Sequence, residues 1–549
     1  MNNNNKVPIR INLLDRFICG ISPKLGISRI RSRAALQWMG ESGYITPGSS
    51  RRSMRGYNPS ALSPDQDTIP KLKVLRAGSR DLYCNTPGAT APIRRYRTNV
   101  IGCGLALRSQ VNRKLLGLTD EKADDWQRNT EREFHSWANT QDCDLTRTQN
   151  FYELTGLAFL STMLSGDVFA ALPRIKRPGD IYPLKIKLIE ADDCCNPNNI
   201  MDTNKLAGGI EVDSNGAPIR YYFRTVNSQD TVFTGIYTWT DVPVFGNRSG
   251  LRQVLHLFDR ERPAQRRGTP MLAPVIEQLK QLTRYSLAEI DAAILNSFFT
   301  VFVKTLPPIG LQPGFIPGVP PTLGGTLIPG GPDTPTNPAD EKVYEMGRAT
   351  INELDPNQSI ELADPKHPVS GFDTFFTAFM KQISASLEVP FEVVMLHFTS
   401  SYSASRAALL EAWRSFIYRR FFMARNFCQP IFTHFMYDAV LSGRISAPGF
   451  LSDPAIRQAW LGSAWIGPGK GMIDPLKEVK AARMKIDSRL STHEDEYLQM
   501  QETGGDWEGS MNRLSREEAF LSSIDLTKLD FVENMAENNN DNDGNKENE

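Results

Sequence analysis

Two helix-like blocks, Thr269–Lys304 and Asp373–Leu441, flank a stretch that cannot be helix, and this constrains the chain more than any other feature. Between Leu306 and Pro338 lie ten prolines and seven glycines, followed by a polar, strand-like run to Ser370. Proline removes a backbone donor and glycine weakens regular structure, so this excursion must be irregular. A chain that leaves along one helix and returns along another forms a limb with a tip. As a helix, Pro274–Lys304 would span about 46 Å at roughly 1.5 Å per residue. Its apolar residues Leu287, Ile290, Ile294, Phe298 and Val301 form one stripe, and Phe375, Phe379, Ile383 and Leu387 form another on the return. A limb of that length is hard to bury within one globule, so the first stripe is expected to meet identical neighbours.

At 549 residues the chain is too long for one core. The most apolar run, Ala292–Val303, is twelve residues long and interrupted by Asn296, Ser297 and Thr300, too short to span a membrane. Asp15-Arg16 interrupts the only apolar N-terminal stretch, which argues against a signal peptide. Seven cysteines without a CxxC spacing fit a reducing compartment rather than a metal site or a disulfide framework. Asp192-Asp193-Cys194-Cys195 reads as a turn after a strand. Net charge is zero but uneven: residues 1–118 hold twenty Lys/Arg against five Asp/Glu, and residues 491–549 hold four against sixteen. A basic head fits nucleic acid or an acidic partner, and equally a surface balanced by acidic tails of neighbouring copies.

The elements follow from periodicity. Lys71–Tyr83 reads as a helix. Thr119 is a candidate N-cap for an amphipathic helix carrying Ala123, Trp126, Thr130, Phe134 and Trp137 on one face. A second helix runs over about Arg147–Leu164 and stops at Ser165-Gly166. Strands are expected at Val168–Leu172, Leu184–Glu190, Gly208–Val212, Ile219–Arg224, Gly235–Trp239 and Val254–Phe258, with Asn215-Gly216 as a hairpin turn. Beyond the excursion, Glu341–Met346 and Ser359–Leu362 look like short strands. Tyr402–Leu441 reads as one long helix kinked at Pro430 and buried on most sides. Pro475–Met484 and Ser515–Ile524 read as helices, and Glu533–Glu549 has a disordered composition.

Catalytic motifs are missing. There is no GxSxG elbow and no HExxH helix. Gly469-Lys470 lacks the rest of a phosphate-binding loop, because Ala464 and Gly471 stand where glycine and Ser/Thr belong. The six histidines are scattered, and Cys428 and His434 are six positions apart, off one helix face. No catalytic residue, cofactor or metal site is expected.

A set of short motifs recurs in a specific order: Gly78-Ser79-Arg80-Asp81-Leu82, Asn99-Val100-Ile101-Gly102-Cys103-Gly104, Gln265-Arg266-Arg267-Gly268-Thr269-Pro270, Leu387-Glu388-Val389-Pro390, Ser401-Tyr402-Ser403-Ala404-Ser405-Arg406 and Ile473-Asp474-Pro475-Leu476-Lys477-Glu478. In this order, over roughly Ile30 to Leu526, the chain resembles the lambda-type portal proteins of tailed bacteriophages. The resemblance implies an α+β portal-protein fold with a mixed α/β wing, a two-helix stem, a small clip and a helical C-terminal crown. Mapped onto this chain, it implies a flexible basic arm at 1–70, a wing at 71–262 and a stem helix at 263–304. The Pro/Gly-rich clip would be 305–372, the second stem helix 373–391 and a tunnel loop 392–404. A long helix at 405–445, a crown at 446–530 and an acidic tail at 531–549 complete it.

The resemblance further implies a homo-oligomeric closed ring, a dodecamer, at one capsid vertex of the virion, assembled in the host cytoplasm, through which double-stranded DNA is packaged and ejected. Its partners would be the terminase large subunit, head-completion or tail-connector proteins, and capsid or scaffold proteins, with no membrane. In such a ring Leu287, Ile290, Ile294 and Phe298 are subunit-interface candidates, and His397, Ser400, Ser401, Tyr402 and Arg406 are DNA-channel candidates. The loop Leu396–Ala404 carries no formal charge at neutral pH and also reads as a helix N-cap region. The alternatives are a sequence-independent DNA-binding structural protein outside that family, using the basic head, and a cryptic phage enzyme such as a capsid protease.

Overall fold

A computed structural model describes residues 57–226, 237–247, 249–297, 301–305, 358–362, 371–398, 401–470, 475–500 and 507–523. The chain divides into two units, Met1–Asp67 and Thr68–Glu549. In the described part of the first, residues 57–63 lead into helix α1 (Pro64–Asn85) through a capping box, in which Ser63 and Gln66 exchange backbone-to-side-chain hydrogen bonds. Gly40–Asp67, rich in Ser, Gly and Pro, reads as a loop by composition, but its last residues from Pro64 are already helix. Everything that follows concerns the second unit.

Helix α2 (Pro87–Val100) follows at once, with Pro87 in its first turn. Proline is tolerated there because that N–H has no helical partner anyway. The four-residue strand β1 (Ala106–Ser109) leads into α3 (Asp120–Ala138), capped by the Thr119 side chain as its sequence predicts. Ala123, Thr130, Phe134 and Trp137 face inward. Helix α4 (Phe151–Ser165) starts in a capping box between Asn150 and Glu153 and ends at Gly166 with φ 87°.

The sheet region has two layers of antiparallel pairing. Strand β2 (Asp167–Ala171) lies between β3 (Lys187–Ile189) and β8 (Val254–Phe258). A four-stranded meander runs in the order β4 (Leu206–Ala207), β5 (Ile210–Val212), β6 (Pro218–Val226) and β7 (Tyr237–Pro243). The β5–β6 hairpin turns at Asp213–Gly216, where Gly216 takes φ 82° and the Asp213 carboxylate accepts from Asn215 and Ala217. Phe169, Tyr221, Phe223, Ile210 and Val254 form the small core between these strands.

Helix α5 (Ile276–Ser297) is shorter than expected. The sequence predicts helix through Lys304, but the chain leaves the helix after Ser297, and Val301–Thr305 forms strand β9. Its antiparallel partner is β10 (Gln358–Leu362), so the expected Ser359–Leu362 strand pairs across the Pro/Gly excursion. The physical reason is local: Val-Phe-Val-Lys-Thr is a β-branched and aromatic run that favours a pleated strand. Phe298, the excursion, Glu341–Met346 and Glu533–Glu549 lie outside the described residues.

Helix α6 (Phe372–Ser386) returns beside α5, with the Tyr285 ring against Phe372 and Phe375. A short helix α7 (Phe391–Met395) then precedes α8 (Tyr402–Met423). Helix α9 (Gln429–Leu441) continues α8 through a π-turn at Ala424–Cys428, where the Gln429 N–H reaches the Ala424 carbonyl. At Pro430, where a kink is expected, the widened turn accommodates the missing proline donor within one helical path. The all-round burial expected for Tyr402–Leu441 holds only for α9. Helix α8 exposes Leu410, Ile417, Tyr418 and Phe421.

The C-terminal part contains α10 (Pro454–Trp460) and β11 (Ser463–Ile466), the latter paired antiparallel with β1 across some 350 residues of chain. Helices α11 (Pro475–Asp487), α12 (His493–Met500) and α13 (Trp507–Ser523) follow. No described helix is long and apolar enough to cross a membrane.

The main core is aromatic. The Phe134 ring meets Phe151, Phe432, Phe435, Trp137 and Trp465 at centroid distances of 5.2–5.7 Å, mostly edge to face. These rings come from α3, α4, α9 and β11. Phe134→Ala should therefore cost about 3–5 kcal/mol of folding stability, and urea denaturation of wild type and variant measures it.

Candidate functional site

All six motifs contribute side chains or backbone to joints between elements. The Asp167 carboxylate, at the start of β2, is fully buried. Arg267 Nε donates to its Oδ2 at 2.5 Å and Arg76 Nη2 to its Oδ1 at 2.8 Å. His256 Nε2 lies 3.3 Å from Oδ2, and the Gly268 N–H donates to the same oxygen at 3.3 Å. Arg267 spends its other donors on the carbonyls of Ala191, Cys194 and Gly208, and lies over the Phe169 ring. Arg76 also donates to the Ser165 carbonyl and to Asp192. Arg80 completes the set, reaching Asp192, Glu190 and Ser165 Oγ.

Ala191–Asp193 thus forms a short 3₁₀ turn with Asp192 held by arginines, and Cys194 just after it is buried. No group of three or more His, Cys, Asp or Glu side chains among the described residues could hold a metal ion. The glycines at this joint have a steric role. A β-carbon on Gly268 would overlap the Gly166 carbonyl oxygen, and one on Gly166 would overlap that of Gly268. Only glycine lets the segment leading into α5 cross the end of α4.

Burial pushes the Asp167 carboxyl up, but Arg267, His256 and Arg76 outweigh it and hold it well below the usual carboxylate range. Burial pushes the His256 imidazole down despite the pull of Asp167, so His256 is neutral near pH 7. Burial acts the same way on Arg267, yet Asp167 raises it overall. The joint is an ionic lock centred on a fully buried carboxylate.

The second joint uses Leu387-Glu388-Val389-Pro390. Glu388 adopts φ 56°, a left-handed conformation that turns the chain from α6 toward α7. Tyr96 of α2 donates to the Leu387 carbonyl at 2.8 Å, while Ser415 and Arg419 of α8 donate to the Glu388 carboxylate. The third uses Arg420, which donates to the carbonyls of Asn99, Val100 and Pro468. The fourth joins Arg406 to Glu478 at 3.7 Å, bringing two motifs together from 72 positions apart in sequence.

The candidate channel residues are placed as follows. His397 is exposed, after Leu396 at φ 54° ends α7. Ser400 lies outside the described residues. Ser401 is exposed at the N-cap of α8, which begins at Tyr402 as its sequence predicts, but makes no side-chain cap hydrogen bond. Arg406 is half-buried and engaged by Glu478. Of the interface candidates, Leu287, Ile290 and Ile294 are 54, 54 and 48% exposed along α5. The joints themselves escape sequence reasoning. The only signal was the motifs, which mark positions without indicating which of them meet.

Residues 50–420 match the family model for phage portal proteins of the lambda family. The chain belongs to that family. It is 25% identical over 453 residues to the portal protein of Escherichia phage N15, covering 81% of this chain and 84% of the relative. It is 24% identical over 448 residues to portal protein B of Escherichia phage lambda, covering 81% and 83%. Among solved structures it is similar to a chain from the virion of a native gene transfer agent particle, at 13% identity and TM-score 0.39, covering 71% of this chain and 92% of that one. A chain from the neck of an empty gene transfer agent particle, computed with C6 symmetry, gives 13% identity and TM-score 0.40, covering 74% and 96%. For this portal protein the motifs are joints between helices and sheet.

An ionic lock of this kind is asymmetric. Removing one partner leaves a buried charge uncompensated, at about 3–5 kcal/mol. Arg267→Met should destabilise the fold by that order. Because the folded Asp167 value is depressed, its contribution is complete above the ordinary carboxylate pKa of about 4 and is lost as pH falls through the folded value. The stability gap between wild type and Asp167→Asn should accordingly narrow on acidification below about pH 4, as read by denaturant midpoints.

Proposed function

We propose that this chain assembles into a closed ring at a capsid vertex and acts as the conduit for double-stranded DNA. The observation that carries this reading is the family match over residues 50–420, with both phage relatives aligned across four-fifths of the chain. A closed ring suits a head-to-tail interface because it leaves no unpaired surface. The apolar residues exposed on α5 and α8 are the kind of surface such an interface covers. In this reading Leu287, Ile290, Ile294 and Phe298 face neighbouring subunits, twelve in the complete ring.

The domain roles follow. The sheet-bearing part with α1–α4 is the wing, α5 and α6 the stem, β9–β10 with the Pro/Gly excursion the clip, and the C-terminal helices the crown. The clip docks the terminase during filling and head-completion proteins afterwards. The portal itself is passive, and ATP hydrolysis belongs to the motor.

A conduit must let DNA of any sequence slide, which calls for weak, salt-screened phosphate contacts rather than base readout. The segment 396–404 fits, being uncharged and rich in hydroxyls, with His397 and Ser401 exposed. Ser400, Tyr402 and Arg406 complete the proposed channel set, and Glu478 tempers the Arg406 charge. Assembly takes place in the host cytoplasm and the finished ring resides in the virion.

The test is the interface. Ile294→Asp puts a carboxylate where apolar surfaces meet, and burying it unpaired costs several kcal/mol at every contact in the ring. Light scattering should find the variant monomeric, with wild type at the mass of a ring. Rings formed by Ile294→Asp at wild-type yield would remove α5 from the interface.

A further inference from the structure

Residues 82–119 hold six Lys/Arg and no Asp/Glu. Arg108 and Arg113 find acids elsewhere in the fold, at Glu494 and Asp120. Arg94, Arg95 and Arg97 of α2 do not: among the described residues no carboxylate pairs with any of them. Arg94 and Arg97 are exposed and Arg95 is half-buried, on the side of α2 turned away from the buried Ile93, Tyr96 and Val100. Arg97 passes over α4 at Gly156, its Nε 3.5 Å from where a β-carbon would stand. Like charges three positions apart on a helix repel one another. Only Arg97, in the last turn, is favoured by the helix dipole. This face calls for an anion.

We propose that this face of α2 is a docking site for the acidic C-terminal segment of the same chain, residues 524–549. Charge selects the segment, which holds eight Asp/Glu against two Lys/Arg in 26 residues. Residues 306–357 hold six against two in twice the length, and both of their ends are fixed by the β9–β10 pair. Connectivity brings the segment within reach. The Arg420 guanidinium joins the Asn99 carbonyl, in the last turn of α2, to the Pro468 carbonyl. Two residues on, the Lys470 N–H donates to the Gln499 carbonyl of α12. The Tyr497 hydroxyl of α12 in turn shares a hydrogen bond with Ser510 Oγ of α13 at 2.6 Å. The acidic segment follows α13, a helix about 25 Å long. Fully extended, its 26 residues span up to about 85 Å, enough to return along α13 to α2. Lys470 is exposed, makes no ion pair among the described residues and lines a cavity with Asn99, so it adds a fourth cation beside α2. The inference goes beyond the conduit role. It gives the described part of the basic head a partner in the chain's own acidic end, where composition alone leaves nucleic acid equally open.

The triple variant Arg94→Lys, Arg95→Lys, Arg97→Lys of the full-length protein keeps the charge and supplies amines, which a carbodiimide couples to carboxylates already in contact. Mass spectrometry should find the introduced amines, and Lys470, coupled to acids of residues 524–549. In mixed isotope-labelled copies each coupled pair should carry a single label. Trypsin cuts the segment after Lys528. Arg94→Gln, Arg95→Gln, Arg97→Gln should quicken that cut roughly tenfold, about what several surface ion pairs contribute. Couplings confined to other carboxylates, couplings only between differently labelled copies, or equal cleavage rates in wild type and the glutamine variant would overturn the proposal. Equal rates together with a loss of DNA affinity in that variant would hand the face to nucleic acid instead. Urea midpoints of both variants are scored on the same preparations, so a damaged fold is not mistaken for failed docking.

Discussion

The carboxylate of Asp167 is the point on which the arrangement of helices and sheet depends. It begins β2, immediately after the glycine that ends α4, and binds arginines from α1 and from the segment entering α5. Its second oxygen also meets His256 of β8 and the Gly268 N–H. One acid thereby fixes the approach of α1, the exit of α4, the β2–β8 pair and the start of the limb. Burying these charges carries a large desolvation cost, which the two arginines offset only because their remaining donors find backbone carbonyls. An apolar cluster of the same volume would hold these elements together but would not set their directions. Guanidinium groups, with donors in fixed planar geometry, do both.

The other joints follow the same logic at smaller scale. Arg420 ties α8 to the end of α2 and to Pro468, and burial pushes its own guanidinium down to about 10. Glu388 sits at a left-handed turn, with its carboxylate held from α8 and the preceding carbonyl held from α2. Cross-links between distant segments give stiffness without requiring one large core. The motifs therefore act as joints between elements distant in sequence.

Much of the local structure was legible in the sequence. Thr119 announces α3, Val254–Phe258 is a strand to the residue, and Asn215-Gly216 turns a hairpin. Each of these signals acts within a few residues. Failures arose where one pattern had two meanings. Val301 continued an apolar stripe at helical spacing, yet its β-branched neighbours make a strand. The β1–β11 pair and the Arg406–Glu478 contact join residues hundreds or tens of positions apart, which no local periodicity encodes. The resemblance to portal proteins named the right family, while the Asp167 lock became visible only once the chain was folded.

If the motifs are internal joints and the exposed apolar faces make the ring, assembly should leave the first unchanged and cover the second. Hydrogen–deuterium exchange compared between monomer and assembled ring measures this segment by segment. The account predicts new protection along α5 around 287–294 and along α8 around 410–421, with little change around Arg76, Asp167 and Arg267. Protection gained at the Asp167 joint, with α5 and α8 exchanging as in the monomer, would contradict it.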